Sequence, residues 1–324
     1  VKILKDGILV LFYLILFLLL TKLSPFIMTA LMLGVYLSII VDFVARFFAR
    51  FLHGKISRIL ANVTVLGVIA YSIGNFFPVI INEAKKVFSE IEKIQITFED
   101  VSVPDWILSF LTNLGKSFSD IALTIVNKLL GYVPSLITAL VIVVITTLIV
   151  GNLKKVVSKK LDKLFPENPE KGIYFAKTTY REFERFVAGQ VLVAAFVGFF
   201  VGVMSLIFKI PSAIFLGVLA FITDFIPYLG VIISAIPLLM LGFASHGLKG
   251  LIIGVLILLS ANQLEMWFLA PKIQSNALKI HWFFILIAIL LFGDVIGFGG
   301  IFVALPTLIY VKNFWNQYVS KSPH

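Results

Sequence analysis

The 324-residue chain has no cysteine. That excludes disulfides, thiolate metal sites and cysteine nucleophiles. Only four histidines occur, and they are scattered, so no histidine metal cluster can be assembled from neighbours in sequence. Charge is also scarce. Asp, Glu, Lys and Arg make up 14 % of residues, against roughly 25 % in an average soluble domain. Three motif classes are missing: the glycine-rich phosphate loop, the Gly-x-Ser-x-Gly elbow and the His-Glu-x-x-His zinc motif. No cofactor, resident metal or enzymatic activity is therefore expected.

Apolar residues take the place of charge. They make up 60 % of the chain, 32 of them Phe, and the mean hydropathy is +1.06. Several runs approach the ~20 residues needed to cross a bilayer as a helix. The expected class is an all-α polytopic integral membrane protein with the lipid bilayer as its solvent. The net charge of +10 does not point to nucleic acid. Lys and Arg sit in short connections beside apolar runs, which is the positive-inside pattern.

The expected organisation follows the chain. Residues 1–82 hold three transmembrane helices. Ile8 to Leu20 extends towards Lys5 and Leu23; with no small-residue cleavage site after it, it reads as a retained first helix rather than a signal peptide. Pro25 opens the second helix, Phe26 to Phe48, since proline suits a first helical turn. The basic turn Arg46, Arg50, Lys55, Arg58 leads to the third, Ile59 to Ile81. Asp42 and Arg46 read as an interfacial i, i+4 pair. Residues 83–132 are richer in acid than in lysine. Trp106, Phe110, Leu114, Phe118, Ile121 and Ile125 fall near one helical face, giving an amphipathic extracytoplasmic segment: a rim over a cavity, or a connector.

Residues 133–210 hold the fourth span, Pro134 to Val150, and the fifth, Phe186 to Phe208. A dense basic connection, Lys154 to Arg185, joins them. Gly198 and Gly202 have the spacing that permits close helix approach. Residues 211–316 are almost wholly apolar yet contain Asp224, Glu265 and Asp294 and several breaks. Pro211 to Ile226 and Leu229 to Ala244 are too short to span; they read as a re-entrant hairpin broken at Pro227, Tyr228 and Gly230. Leu248 to Phe268 crosses fully. Ile280 to Phe292 and Ile296 to Val311 form a second broken hairpin that meets at Gly293–Asp294. Residues 317–324 are a tail. Most of the 27 Lys and Arg then lie on one side, with both termini cytoplasmic in the cell membrane. About six full spans plus two opposed hairpins is how many secondary transporters build a site.

The ordered motifs of this stretch resemble the AI-2E (autoinducer-2 exporter-like) family of permeases. Phe225-Ile226-Pro227-Tyr228-Leu229-Gly230, followed by Pro237, is similar to its phi-Ile-Pro-Tyr-x-Gly signature. Gln263-Leu264-Glu265 with Pro271 and Ile273 is similar to Gln-x-Glu…Pro-x-Ile. Ile280-His281 is similar to Leu-His-Pro. Gly293, Gly297, Gly300, Ala304 and Pro306 are similar to its closing hairpin, and Arg185 to Gln190 to its lead-in. The resemblance covers about residues 180–312. Trp282 stands where the family has Pro, and Met266-Trp267 where it has Gly-Asn. Asp224 and Asp294 match nothing in the pattern. The resemblance implies roughly eight membrane segments, a homo-oligomer (a pentamer is known in the family), and export of autoinducer-2 or, in some members, Na⁺/H⁺ exchange.

The residues allow several chemistries. Asn262 and Glu265 share a helical face, whereas Gln263 points elsewhere. Glu265 is a proton or cation site, an anchor for a polar solute, or a tie between helices. Asp224 and Asp294 bind H⁺ or Na⁺, or cap half-helix N-termini. His281 is a cap or a relay. The expected function is export of a small polar solute such as autoinducer-2, with ion coupling as an option. The alternatives are a monovalent cation/proton antiporter and a non-transporting membrane scaffold.

Overall fold

The structure is a computed structural model. It describes residues 5–71, 106, 109, 113, 133–225, 229–267, 269, 280–297 and 299–320. The amphipathic segment 83–132, apart from three isolated positions, lies outside the described residues, as do Pro227, Tyr228 and Pro271. All regular structure among the described residues is helical.

The helices are α1 Lys5–Leu23, α2 Pro25–Phe48, α3 Gly54–Tyr71, α4 Val133–Leu164, α5 Pro169–Ile207, α6 Ala213–Thr223, α7 Leu229–Leu264, α8 Trp282–Ile296 and α9 Gly300–Phe314. A wider π-type turn, Trp315–Val319, follows α9. Four stretches are long and apolar enough to cross a membrane: Asp6–Leu23, Pro25–Phe48, Pro169–Ile207 and Ile233–Trp267. The pair Thr138–Gly151 and Val156–Leu164, bent by 79°, makes a fifth if counted as one span. The protein is an all-α polytopic membrane protein.

Three ends agree with the sequence pattern: α1 reaches both Lys5 and Leu23, and α2 starts on Pro25. The basic connection differs. It is mostly helix, the end of α4 and the start of α5, joined by a short turn at Phe165–Asn168. Lysine and arginine are good helix formers, and their long stems let the helices run on past the apolar runs.

The chain divides into two compact units. The first comprises residues 1–67, 134–189 and 274–324; the second comprises 68–133 and 190–273. In the first, Val10, Leu161, Phe165, Phe175 and Tyr318 form a buried cluster. Phe175 meets Tyr310 edge to face at 4.9 Å, a preferred aromatic geometry. The Tyr310 hydroxyl donates to the Val10 carbonyl at 2.9 Å, tying α9 to α1. Burial, and after it the Asp6 charge, pushes the Tyr318 phenol up to about 12, so it stays neutral.

A second tie in this unit explains a proline. Pro306 lies inside α9 and has no N–H, so the Phe302 carbonyl four residues earlier lacks its helical donor. The Tyr36 hydroxyl of α2 donates to that carbonyl at 3.2 Å. The Tyr36 ring is held edge to face by Phe183 and Phe302. Nearby, Lys312 donates to both oxygens of Glu182, at 3.0 and 2.9 Å, and Asn313 donates to Glu182 at 2.9 Å. These contacts fix α9 against α5.

The Asp42–Arg46 pair is corrected. Asp42 instead receives Arg58 at 3.1 Å and Lys154 at 3.4 Å, while Arg46 reaches Glu184 at 3.0 Å. Tertiary partners outcompete the local pair because they are more deeply seated and so less screened by water.

Candidate functional site

In the second unit, α5 and α6 cross where both backbones are bare. A Cβ on Gly198 would stand 2.7 Å from the Gly217 carbonyl, and one on Gly217 would stand 2.9 Å from the Gly202 Cα. The GxxxG spacing is therefore used for close approach. Behind it lies a core of Val193, Val197, Phe215, Leu216, Leu238 and Leu241.

The stretch α7 is not a single rod. His246 and Gly247 leave helical geometry, and Gly247 has a φ of +59°. A Cβ on Gly242 would lie 2.6 Å from the Gly250 carbonyl, so the chain doubles back on itself there. The two arms, 229–245 and 248–264, form a hairpin. The turn falls in the gap between the apolar pieces ending at Ala244 and starting at Leu248. The first arm meets the end of α6 at Gly230, which lies against Thr223 and Asp224.

The α6–α7 break holds the polar residues. Asp224 ends α6, its N–H donating to the Ala220 carbonyl. It caps a helix C-terminus, not the N-terminus that the sequence alone allowed. Its side chain is 3 % exposed, and among the described residues Oδ2 has no hydrogen-bond partner. Gln190 of α5, also buried, donates from Nε2 to the Asp224 carbonyl at 2.6 Å. The Thr223 hydroxyl lies 3.1 Å from the Gly230 carbonyl and 2.8 Å from that of Leu219; it can give its one proton to either. Ser234 donates to the Gly230 carbonyl at 3.0 Å.

Gly230 is required by contact. A Cβ there would stand 2.5 Å from the Asp224 Cα. The first turn of α7 therefore rests directly on Asp224. The α6 C-terminus disfavours a negative charge at this point, whereas the α7 N-terminus favours one. Glu265 follows the second arm of α7 in a wider turn and is half-buried. Its charge acts on Asp224. Asn262 is half-buried and Gln263 exposed, as the helical spacing requires. An apolar groove between α5 and α6, about 450 Å³ in volume, contains none of these polar groups.

Sequence reasoning missed Gln190, Thr223 and Ser234 as parts of this break. The signals for Gln190 were a glutamine at the head of an apolar run and its place at the end of the family's lead-in.

The remaining candidates lie in the first unit. His281 caps α8, its Nδ1 accepting the Phe283 N–H at 3.3 Å. The second hairpin does not turn at Gly293–Asp294. Helix α8 continues through both, and the turn comes at Gly297, with a φ of +78°, a backbone conformation that glycine adopts without penalty. Asp294 is exposed in the last turn of α8 and caps no N-terminus. Gly300 is buried against the Phe292 carbonyl, where α9 folds back on α8. Gly293 has open space around it. Among the described residues no group of three or more potential metal-ligating side chains forms.

The family model for AI-2E family transporters matches residues 8–320. The chain belongs to the AI-2E transporter family. This AI-2E family member is 60 % identical over 320 residues to a Thermotoga maritima protein named "Putative transport protein", covering 98 % of this chain and 99 % of the relative. It is 25 % identical over 279 residues to a Bacillus subtilis protein named "Putative transport protein YueF", covering 80 % and 75 % of the two chains. It is 26 % identical over 182 residues to a Mycobacterium tuberculosis protein named "Putative transport protein MT0215", covering 56 % and 50 %. Family and fold together make it a multi-pass membrane permease.

Proposed function

We propose that this AI-2E family member exports a small polar solute of the autoinducer-2 kind along a pathway that includes Asp224 and Glu265. The observation that carries the reading is the buried Asp224 carboxylate, with one oxygen unpartnered among the described residues. A buried carboxylate is costly unless it is protonated, paired or bound to a cation. A second acid nearby raises that cost. The pair is a place where a proton, Na⁺ or a solute hydroxyl is taken up. The family resemblance supports a role for Pro227, Tyr228, Gly230, Asn262, Gln263 and Pro271 in the same pathway. The same resemblance supports a role for His281, Gly293, Gly297, Gly300 and Pro306, and Asp294 is included on its charge alone. The pentamer implied by the family resemblance is the expected assembly.

The same two carboxylates favour a second reading, monovalent cation/proton exchange, because an acid pair needs no organic solute to be neutralised. Proteoliposomes of defined orientation separate the two. Saturable autoinducer-2 efflux without a Na⁺-driven pH change supports export, and the reverse pattern supports exchange. Absence of both in sealed, correctly oriented vesicles would contradict the proposal.

A further inference from the structure

The first unit contains a polar cavity of about 320 Å³ at the basic end of α2, α3, α4 and α5, lined in part by Asp42, Arg46, Arg58, Lys154 and Glu184. Its charges are ordered by depth. Asp42 and Glu184 are 19 % and 18 % exposed, while their partners Arg46, Arg58 and Lys154 are 61 %, 31 % and 40 % exposed. The acids lie at the base and the cations ring the mouth. Asp42 is held by two cations, so that trio stays net positive, and Glu184 neutralises only Arg46.

The cations are pre-positioned. Lys154 Nζ lies over the Tyr180 ring, 4.1 Å from its centre. Arg58 lies flat against the α4 backbone, because residue 151 is glycine; a Cβ there would overlap the guanidinium. The same region carries an exposed apolar flank: Phe47 at the end of α2, Phe51 in the turn after it, Ile56 on α3 and Leu153 on α4. In a membrane protein, cations directly beside exposed aromatic and aliphatic side chains mark the level where headgroups meet acyl chains.

We propose that this cavity binds the phosphate of an anionic phospholipid headgroup. Arg46 and Arg58 offer planar N–H edges that suit phosphate oxygens, Lys154 adds a third charge, and the acyl chains lie along Phe47, Phe51 and Ile56. The lipid bridges the α2–α3 turn to α4 and α5. Unlike a solute site, it needs no access across the membrane.

Native mass spectrometry of the purified full chain, titrated with phosphatidylglycerol or phosphatidylcholine, tests this. Phosphatidylglycerol should bind in preference. The double substitution Arg46→Gln with Lys154→Gln should weaken it about thirty-fold, since each cation near a membrane surface contributes about fivefold. Lys160→Gln with Lys163→Gln removes the same amount of charge from α4 outside the cavity and should leave affinity close to that of the unmutated protein. Gly151→Ala keeps every charge but displaces Arg58, and should also weaken binding. Equal losses in the two double variants would overturn the proposal in favour of diffuse attraction. So would full affinity in Gly151→Ala, or no preference for the anionic lipid. Displacement of the lipid by millimolar inorganic phosphate would assign the cavity to a soluble anion instead.

Discussion

Removing the Tyr36 hydroxyl should cost more in the native sequence than in a chain without Pro306. In the native chain the Tyr36 hydroxyl is the donor that reaches the Phe302 carbonyl, at 3.2 Å, because proline at 306 supplies no N–H. Tyr36 is 8 % exposed, so Tyr36→Phe removes a hydrogen bond made in a dry setting. Such a loss costs about 0.5–1.5 kcal/mol. Pro306→Ala restores a backbone N–H at the i, i+4 position. That N–H competes with the Tyr36 hydroxyl for the same carbonyl, so Tyr36→Phe in that background should cost about 0.5 kcal/mol. The expected coupling between the two sites is therefore about 0.5–1 kcal/mol. Reversible unfolding in mixed micelles, followed by circular dichroism for the four chains of the cycle, measures it. An equal cost of Tyr36→Phe in both backgrounds would refute the assigned donor.

Three further outcomes follow from contacts in the same structure. Glu182→Gln should destabilise by about 2 kcal/mol by leaving the Lys312 ammonium poorly paired, and Lys312→Met should recover much of it when added, as expected for a half-buried pair; full additivity in denaturant titrations would count against the clamp. Gly217→Leu should destabilise by about 1–3 kcal/mol or more through overpacking against α5, whereas Gly293→Leu, which points into open space, should change thermal stability little; similar losses would be contrary to the crossing described. Gln190→Leu removes the donor to the Asp224 carbonyl and should cost about 1–3 kcal/mol, with faster hydrogen exchange confined to the α6–α7 break; unchanged exchange there would rule out that role.

Local features were legible in the sequence. Pro25 gave the α2 start, and the gap between Ala244 and Leu248 gave the α7 turn, because helix starts and breaks are set by residues next to each other. Asp224 stood out as a charge in an apolar run and proved buried. Long-range choices were not legible. Asp42 prefers Lys154, 112 residues away, to Arg46 one turn along its own helix. Tyr36 answers a proline 270 positions later in the chain, and nothing in either local sequence signals it. The second hairpin turns at Gly297 rather than Gly293 because a glycine also fits inside a helix when neighbouring residues favour it. Gln190 was hidden for a similar reason: its partner is a main-chain carbonyl, which no pattern of side chains reveals.

The central claim is that Asp224 and Glu265 take part in transport. Flux through proteoliposomes reconstituted with equal amounts of the native chain, Asp224→Asn, Glu265→Gln and Asp294→Asn tests it most directly. The account predicts that the first two variants lose at least about tenfold in transport rate while retaining native thermal stability, a loss equal to about 1.4 kcal/mol in the barrier. Asp294→Asn, at an exposed position, should keep more of the rate. Native flux in both Asp224→Asn and Glu265→Gln would contradict the account.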